Sequence, residues 1–170
     1  MKFKYKNGGQ VSDGVGLLIS ILLRYPEIGT INVDQELQLL KLTFFLNKEL
    51  TAAQQFVKPL SEAISLFNEL EGRECRVCEL CFRDNEGFLA LEVKRDIETV
   101  TYNELNLLID ILREDFSDSL LTDLGEDVSE DELLMQEEII KHMLESLHDN
   151  PLDKNMVALR EEGRVLVFNT

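Results

Sequence analysis

The sequence has no tryptophan and only two histidines, three cysteines and three prolines among its 170 residues. A small, odd number of cysteines is not typical of an extracellular disulfide framework, so we expect reduced thiols and a cytoplasmic protein. No lipase-type serine motif, zinc-protease motif or Cys–His pairing of known spacing occurs. The sequence therefore predicts no cofactor and favours a non-enzymatic protein, although scattered carboxylates leave an enzyme open.

Positive charge is also scarce, since 17 Lys and Arg stand against 33 Asp and Glu for a formal net charge of −16. A protein that binds nucleic acid through its phosphates needs a face of Lys and Arg. An anionic membrane surface likewise repels a polyanion. The strongest apolar run, Val15–Leu23, is too short to span a bilayer. We therefore expect neither nucleic acid nor a membrane as a partner.

The surplus of negative charge lies mainly in the second half of the chain. Residues 1–100 have a net charge of −3, whereas residues 101–170 have 18 acidic and five basic side chains, a net charge of −13. Between Arg113 and Lys141 there are eleven acidic residues and no basic one. Such an asymmetry indicates either an acidic interaction face or a solvated segment.

Hydrophobic periodicity and turn residues predict alternating strands and helices. The predicted elements are a strand Met1–Lys6, a helix from Ser12 or Asp13 to about Arg24, strands Ile28–Val33 and Leu37–Leu46, a helix from Thr51 to about Glu71, a hairpin of Cys75–Phe82 and Phe88–Asp96, a helix capped by Thr101, a short strand Ser119–Thr122, a helix from Ser129 to about Leu147, and a hairpin of Met156–Leu159 and Val165–Phe168.

This order divides into a βαββαβ first half and a β-α-β-α-β-β second half. The first half resembles a ferredoxin-like unit, in which two helices lie on one face of an antiparallel sheet. We therefore predict an α+β, two-layer body with a mostly antiparallel sheet and helices on one face. Residues 1–85 form a ferredoxin-like subdomain and residues 86–170 an acidic α+β subdomain, packed together or continuous as one domain. This architectural comparison implies no activity.

The helix predicted from Thr51 has a capping box, Thr51 with Gln54, and contains Pro59. Because proline removes one helical hydrogen bond and clashes with the preceding turn, a kink or a two-part helix is expected there. The residues predicted to face inward share helical spacing; they are Ala53, Phe56, Leu60, Ala63, Ile64, Phe67 and Leu70.

The three cysteines have the spacing Cys75-x-x-Cys78-x-x-Cys81. In a loop such a run could begin a zinc or iron–sulfur site, but a fourth cysteine is absent. In a strand, Cys75 and Cys81 would lie about 20 Å apart on one face, with Cys78 on the other. We therefore predict no metal site here and expect Cys78 to pack beside Leu80 and Phe82 as a small core residue.

A glycine-rich segment lies between the first predicted strand and the first predicted helix, where backbone amides can hold a phosphate. It matches neither the P-loop nor the complete dinucleotide-binding pattern, and the favoured interpretation is a tight turn with close helix packing, with Ser12 or Asp13 as the cap. The ligand-binding candidates are Gly8, Gly9, Ser12, Gly14 and Gly16. A small-ligand or anion-binding domain is the alternative function.

The histidines, His142 and His148, lie on the last predicted helix. Glu138 and Glu145 lie one turn on either side of His142, so a helical metal face and a solvated ion pair share the same spacing. We expect surface roles for both histidines.

The acidic stretch 114–138 gives the leading function hypothesis. It contains Leu120, Leu121, Leu124 and Val128 and is therefore not a featureless tail. A non-enzymatic interaction or regulatory module would use it to dock a basic protein, because complementary fields speed encounter and set specificity. The partner-binding candidates are Asp123, Glu126, Asp127, Glu130 and Asp131. The sheet edges of the predicted hairpins also permit a homodimer.

Overall fold

The computed structural model of the chain describes residues 13–123 and 128–170. Its elements are α1 (Asp13–Arg24), β1 (Ile28–Asp34), β2 (Leu39–Leu46), α2 (Leu50–Ala53), a 3-10 turn (Gln54–Phe56), α3 (Val57–Leu70), β3 (Cys78–Asn85), β4 (Phe88–Asp96), α4 (Tyr102–Phe116), α5 (Glu130–Asp149), β5 (Met156–Glu161) and β6 (Arg164–Asn169).

The six strands form one sheet in the order β3-β4-β2-β1-β5-β6, and every pairing is antiparallel. Directly opposite residues of such a ladder share a face. Ala158, Ile31, Leu42 and Val93 lie opposite one another across four neighbouring strands, and all four are buried. All four long helices add side chains to the buried cluster that contains them. The predicted α+β class, with an antiparallel sheet, is confirmed.

The predicted boundary at residue 85 falls at the tight turn between β3 and β4. Strands from both sides of it share the sheet, since β4 pairs with β2 and β5 pairs with β1. The division into residues 1–85 and 86–170 stays a prediction. The expected first strand, Met1–Lys6, lies outside the described residues.

The helix α1 is buried from Gly14 to Leu22, as its almost uninterrupted apolar sequence leads one to expect. It packs mainly on α5 and also contacts β1, β5 and β6. Within the described ranges, no helix combines the length and the apolarity that crossing a bilayer requires.

Of the three capping boxes that the sequence predicts, at Thr51, Thr101 and Ser129, the last two are present as N-caps. The Thr101 hydroxyl accepts a hydrogen bond from the Glu104 amide, and the Ser129 hydroxyl accepts one from the Glu132 amide, each at 3.2 Å. A side-chain oxygen at this position satisfies an amide that the first helical turn leaves unpaired.

The third box, at Thr51, is wrong. The helix α2 begins at Leu50 after Glu49, without a side-chain cap, and a 3-10 turn separates it from α3. Pro59 explains the break, because it has no N–H to donate to the carbonyl of Gln55. In α3 the proline lies in the first turn, where its amide would have no helical partner in any case.

The inward face of α3 also differs from the prediction at its end. Leu60, Ile64 and Asn68 are buried, whereas Leu70 is 78% exposed. Two residues advance a helix by about 200°, so the burial of Asn68 turns Leu70 toward solvent. A polar residue has therefore taken the place that the sequence pattern assigned to a leucine.

The short strand predicted at Ser119–Thr122 is a single bridge, in which Leu120 lies opposite Leu46. Around it the Asn47 amide donates to the carbonyl of Ser119 at 2.7 Å, and the Leu121 amide donates to the carbonyl of Phe45 at 2.8 Å. These bonds attach the chain after α4 to the end of β2.

The terminal hairpin turns at Glu162 and Gly163, with φ angles of 50° and 74°. Two positive φ values are the mark of a type I′ turn, which favours Asn-Gly. Replacing Glu162 by Asn should raise the free energy of unfolding in urea by about 0.5–1 kcal/mol, because asparagine adopts this conformation more readily.

The matched control is Glu162→Gln, which removes the same charge without the backbone preference. The Glu162–Arg164 pair is exposed and 3.9 Å long, so its loss should matter little. Equal stabilisation by the two substitutions would show that charge, rather than turn conformation, is responsible.

Candidate functional site

The acidic candidates occupy two places in the structure. Asp123 is exposed, and its amide donates to the carbonyl of Pro26 at 3.1 Å, just before β1. Glu130 and Asp131 are exposed in the first turn of α5, where Glu132 joins them. Glu126 and Asp127 lie outside the described residues. The described candidates on α5 therefore form a compact group, whereas Asp123 lies at the entrance to β1.

Apolar side chains accompany the acidic group on α5. Leu134 and Met135 are each 59% exposed, and they directly follow the acidic first turn. A cavity of about 300 Å³ opens beside them, lined by Arg24, Glu130, Leu133, Leu134 and Glu137. We call residues 130–138 of α5 the α5 amino-terminal surface.

The helix itself accounts for part of this arrangement. Carboxylates in a first turn interact favourably with the positive end of the helix dipole, typically by about 0.3–1 kcal/mol each. The inward positions of α5 are Gln136, Ile140, Leu144 and Leu147. Because the buried stripe passes through Gln136, neighbouring Leu134 and Met135 are turned outward.

The glycine-rich candidates are only partly described. Gly14 and Gly16 lie within the first turns of α1 and are buried. Gly8, Gly9 and Ser12 lie outside the described residues. The predicted anion site stays a prediction.

Two of the three cysteines pack against the core, and the third is exposed. Cys78 packs at the edge of the core beside Leu80 and Phe82, as predicted. Cys75 precedes the strand instead of belonging to it, and it too packs against the core. Cys81 is exposed on the opposite face of β3 from Cys78. The three thiols, all within the described residues, form no disulfide.

The two core-side thiols are poor nucleophiles at neutral pH. Burial is the main cause that raises the pKa of Cys78 to about 11, and it also raises the pKa of Cys75. Both thiols therefore stay protonated, and the thiolate is the reactive form. His142 and His148 are exposed on α5, as expected. Residues 13–123 and 128–170 contain no group of three or more His, Cys, Asp or Glu placed to hold a metal ion.

A buried ionic network, which the sequence did not predict, lies at the end of β4. The Arg95 side chain is 1% exposed, and its guanidinium binds Glu104 with two hydrogen bonds, Nε–Oε2 at 2.6 Å and Nη2–Oε1 at 2.7 Å. The Asn68 side-chain amide donates to the same Glu104 at 2.7 Å. This network joins β4, α4 and α3.

The remaining guanidinium nitrogen of Arg95, Nη1, also has hydrogen-bond partners. It donates to Asp96, to the Val77 carbonyl at 2.8 Å and to the Thr99 hydroxyl at 3.1 Å. Asp96 in turn accepts from the Val77 amide at 3.0 Å and from the amide and hydroxyl of Thr99 at 3.0 and 2.6 Å. The chain entering β3 and the turn after β4 are therefore held together.

The network stabilises the ionised forms of Arg95 and Asp96. Burial opposes the charge on Arg95, but the hydrogen bonds and charge of Glu104 outweigh it and raise the pKa of Arg95. Burial likewise opposes the ionisation of Asp96. Hydrogen bonds from Thr99 and Val77, together with the charge of Arg95, overcome this and lower the pKa of Asp96.

One sequence signal could have revealed this network. Every second residue of β4, namely Leu89, Leu91, Val93 and Arg95, lies on the core face, as the alternation of side chains along a strand requires. Glu104 gave no such signal, because a glutamate at the third helical position is what a capping box requires. Its side chain pairs with Arg95 instead.

A second buried carboxylate ties the turn before β1 to α4. Glu27 Oε1 accepts from Arg113 Nε at 2.6 Å, while Glu27 Oε2 has no partner among the described residues. Nearby, Arg160 Nη2 of β5 donates to the carbonyls of Tyr25 and Ile28 at 2.5 and 3.0 Å. These side chains fix the junction between α1 and β1.

The two kinds of charged site differ in what they can do. The side chains of Glu104 and Asp96 are buried and bind the buried Arg95, so they hold elements together. The α5 amino-terminal surface is exposed, acidic and partly apolar, so it can meet another molecule. In the comparisons with known proteins, no family model, curated protein or solved structure matches the chain.

Substitution of Glu104 by Gln should lower the free energy of unfolding by about 3 kcal/mol, because it removes the carboxylate that binds the buried Arg95 with two hydrogen bonds and leaves Asp96 as its counter-charge. The matched control is Glu98→Gln, which breaks an exposed 2.8 Å pair with Arg76. The control should cost less than about 1 kcal/mol. Similar losses in urea denaturation would contradict the structural role of the buried pair.

The contribution of Asp96 to stability should depend on pH. Its pKa is lower in the folded protein than the value of about 3.9 in an unfolded chain. Its stabilisation is therefore fully present above that value and is lost as the pH falls through the folded pKa. The difference in unfolding free energy between the natural chain and Asp96→Asn should shrink from pH 7 to pH 3. A difference that stays constant would show that ionisation of Asp96 is not involved.

Proposed function

We propose that this protein is a non-enzymatic interaction or regulatory module that binds a basic partner protein through the acidic surface of residues 114–138. The observation that carries the proposal is the exposure of Leu134 and Met135 beside the carboxylates of the first turn of α5. Large apolar side chains gain free energy when a partner covers them, by about 25 cal/mol per Å². Surrounding carboxylates select a cationic partner.

The shape of this region supports a binding role for its centre. The cavity beside Leu133 and Leu134 can receive one side chain of a partner, and Glu130 and Glu137 lie at the same cavity. Of the basic residues, Arg24 lines the cavity and Lys141 pairs with Glu137 at 3.0 Å. A partner segment with an apolar anchor flanked by Lys or Arg fits this surface, in the way that an amphipathic helix fits an apolar groove.

The proposal includes a cytoplasmic location and a ferredoxin-like arrangement. Free thiols at Cys75, Cys78 and Cys81 support a reducing compartment.

The order β3-β4-β2-β1, with α3 and α4 on the core side, supports a variant of the ferredoxin-like unit. In this variant β4 and α4 supply the strand and helix with which such a unit begins.

The test uses a defined probe, a fluorescent helical peptide with Lys on one face and Leu on the other, and a second peptide in which Ser replaces Leu. The Lys-Leu peptide should bind more tightly, and Leu134→Ser with Met135→Ser should weaken it at least tenfold in anisotropy titrations. The triple substitution Glu130→Gln, Asp131→Asn and Glu132→Gln should weaken both peptides, because it removes three surface carboxylates.

The matched control neutralises three exposed carboxylates at the end of α3 and after it, Glu69, Glu71 and Glu74, for the same change in net charge. It should change either affinity by less than twofold. Equal weakening by the two triple substitutions would reduce the binding to the general attraction of a polycation for a polyanion and would overturn the proposal. Thermal unfolding of each variant confirms that it is folded.

A further inference from the structure

The strand β3 lies at one end of the sheet. It pairs with β4 on one side, and among the described residues no strand pairs with its other side. An edge of this length presents backbone N–H and C=O groups that can pair with a further strand. The side chains of β3 determine which strand can pair there.

The pairing with β4 decides which backbone groups face outward. The carbonyl of Val77 accepts from the amide of Asp96 at 3.3 Å, so Val77 uses its backbone toward β4. Hydrogen-bonded and non-hydrogen-bonded pairs alternate along an antiparallel ladder. Glu79, Cys81 and Arg83 therefore also direct their backbone groups toward β4. The outward backbone groups belong to Cys78, Leu80, Phe82 and Asp84.

This edge is complementary to itself. When two copies of β3 are placed antiparallel about a twofold axis at Cys81, Leu80 lies opposite Phe82 of the second copy. The outward backbone groups of both residues then meet in hydrogen-bonded pairs. Glu79 lies opposite Arg83 of the second copy, and the symmetry makes this opposite-charge pair twice.

Other registers lose this match. An axis at Leu80 places Glu79 opposite Cys81, and an axis at Phe82 places Arg83 opposite Cys81.

We infer that β3 is a dimerisation edge, at which a second copy of this chain pairs about Cys81 to continue the sheet across both molecules. This surface is distinct from the α5 amino-terminal surface, so the two proposals stand or fall separately.

The side chains of the edge are placed for this pairing. Arg83 is exposed, and its Nε binds Glu92 at 2.5 Å, a carboxylate that Lys41 also contacts at 3.5 Å. A guanidinium has five N–H donors, so Arg83 can bind Glu79 of a second copy while it holds Glu92. Leu80 is partly buried at the rim of the core, and Phe82 of the second copy would extend the apolar contact.

The position of the twofold axis can be tested through Cys81. This residue would lie opposite itself at a non-hydrogen-bonded position, where the Cα atoms of an antiparallel pair are about 4.5 Å apart. That separation falls within the range that a disulfide accepts. A disulfide is not part of the inferred dimer, but it can be made to trap it.

The first experiment uses the variant Cys75→Ser with Cys78→Ser, in which Cys81 is the only thiol, and the oxidant diamide, which takes two electrons and two protons from a pair of thiols. Rapid formation of a covalent dimer on a non-reducing gel is expected. The matched control is a chain whose only cysteine comes from Asn85→Cys, which leaves Glu79 and Arg83 in place. Asn85 is exposed on the same face of β3 as Cys81; a cysteine there would lie eight residues, or about 26 Å, out of register with its symmetry mate, and it should cross-link at least tenfold more slowly. Equal rates would overturn the inference.

The second experiment measures oligomeric state by sedimentation. The natural chain should form a concentration-dependent dimer, and Glu79→Arg should weaken it at least tenfold by placing two arginines together. Adding Arg83→Glu to that variant, together with Glu92→Gln so that the new carboxylate does not face Glu92 of its own chain, should restore the dimer, because residues 79 and 83 meet each other only across the axis. A monomeric natural chain, or a triple variant no better than the single one, would overturn the inference.

A third variant separates the interface from the fold. In Leu80→Pro the lost amide is one that faces away from β4, and proline is tolerated on edge strands at such positions. It should abolish the dimer and leave the chain folded, whereas Leu80→Ala should retain the dimer. Persistence of the dimer in a folded Leu80→Pro variant would overturn the inference.

Discussion

The buried pair of Arg95 and Glu104 is the interaction on which the layered arrangement depends. A guanidinium without solvent is costly unless its hydrogen bonds and its charge are all matched. Here the match requires residues from β4, α4 and α3 and from the chain that enters β3. No single element can supply it. The network therefore specifies how the helix layer is positioned on one end of the sheet, a task for which apolar contacts alone have little directional preference.

Local features of this fold could be predicted because their causes are local. Thr101 and Ser129 cap helices through an amide three residues away. The turn of the last hairpin is marked by Gly163, which adopts a positive φ. The features that escaped prediction arise from distant parts of the chain. Asn68 is buried because Glu104 needs a donor, and that burial turns Leu70 outward. No pattern within α3 contains this information.

The candidate surface shows the same division. Its carboxylates could be predicted from the uneven charge of the sequence, because charged residues in a long run without basic neighbours must lie mostly in solvent. The exposure of Leu134 and Met135 could not, since leucine and methionine in an amphipathic helix are expected to point inward. Burial of Ile140, Leu144 and Leu147 determines which face of α5 packs, and Gln136 lies on that face although neither polar atom of its side chain has a partner among the described residues. The acidic first turn also stabilises the helix end that carries it, so stability and the proposed recognition depend on the same residues.

The position of β1 in the sheet has a consequence for how the chain is made. It pairs on one side with β2, which follows it directly, and on the other with β5 near the end of the chain. Gln35, just after β1, is held by Asn155, 120 residues later. While the chain is being synthesised, β1 and the apolar helix α1 must wait for β5 and α5 to emerge from the ribosome. Closure of the sheet is then a late, long-range event of the kind that slows folding, and until that moment α1, the most apolar of the four long helices described, lacks its main packing partner.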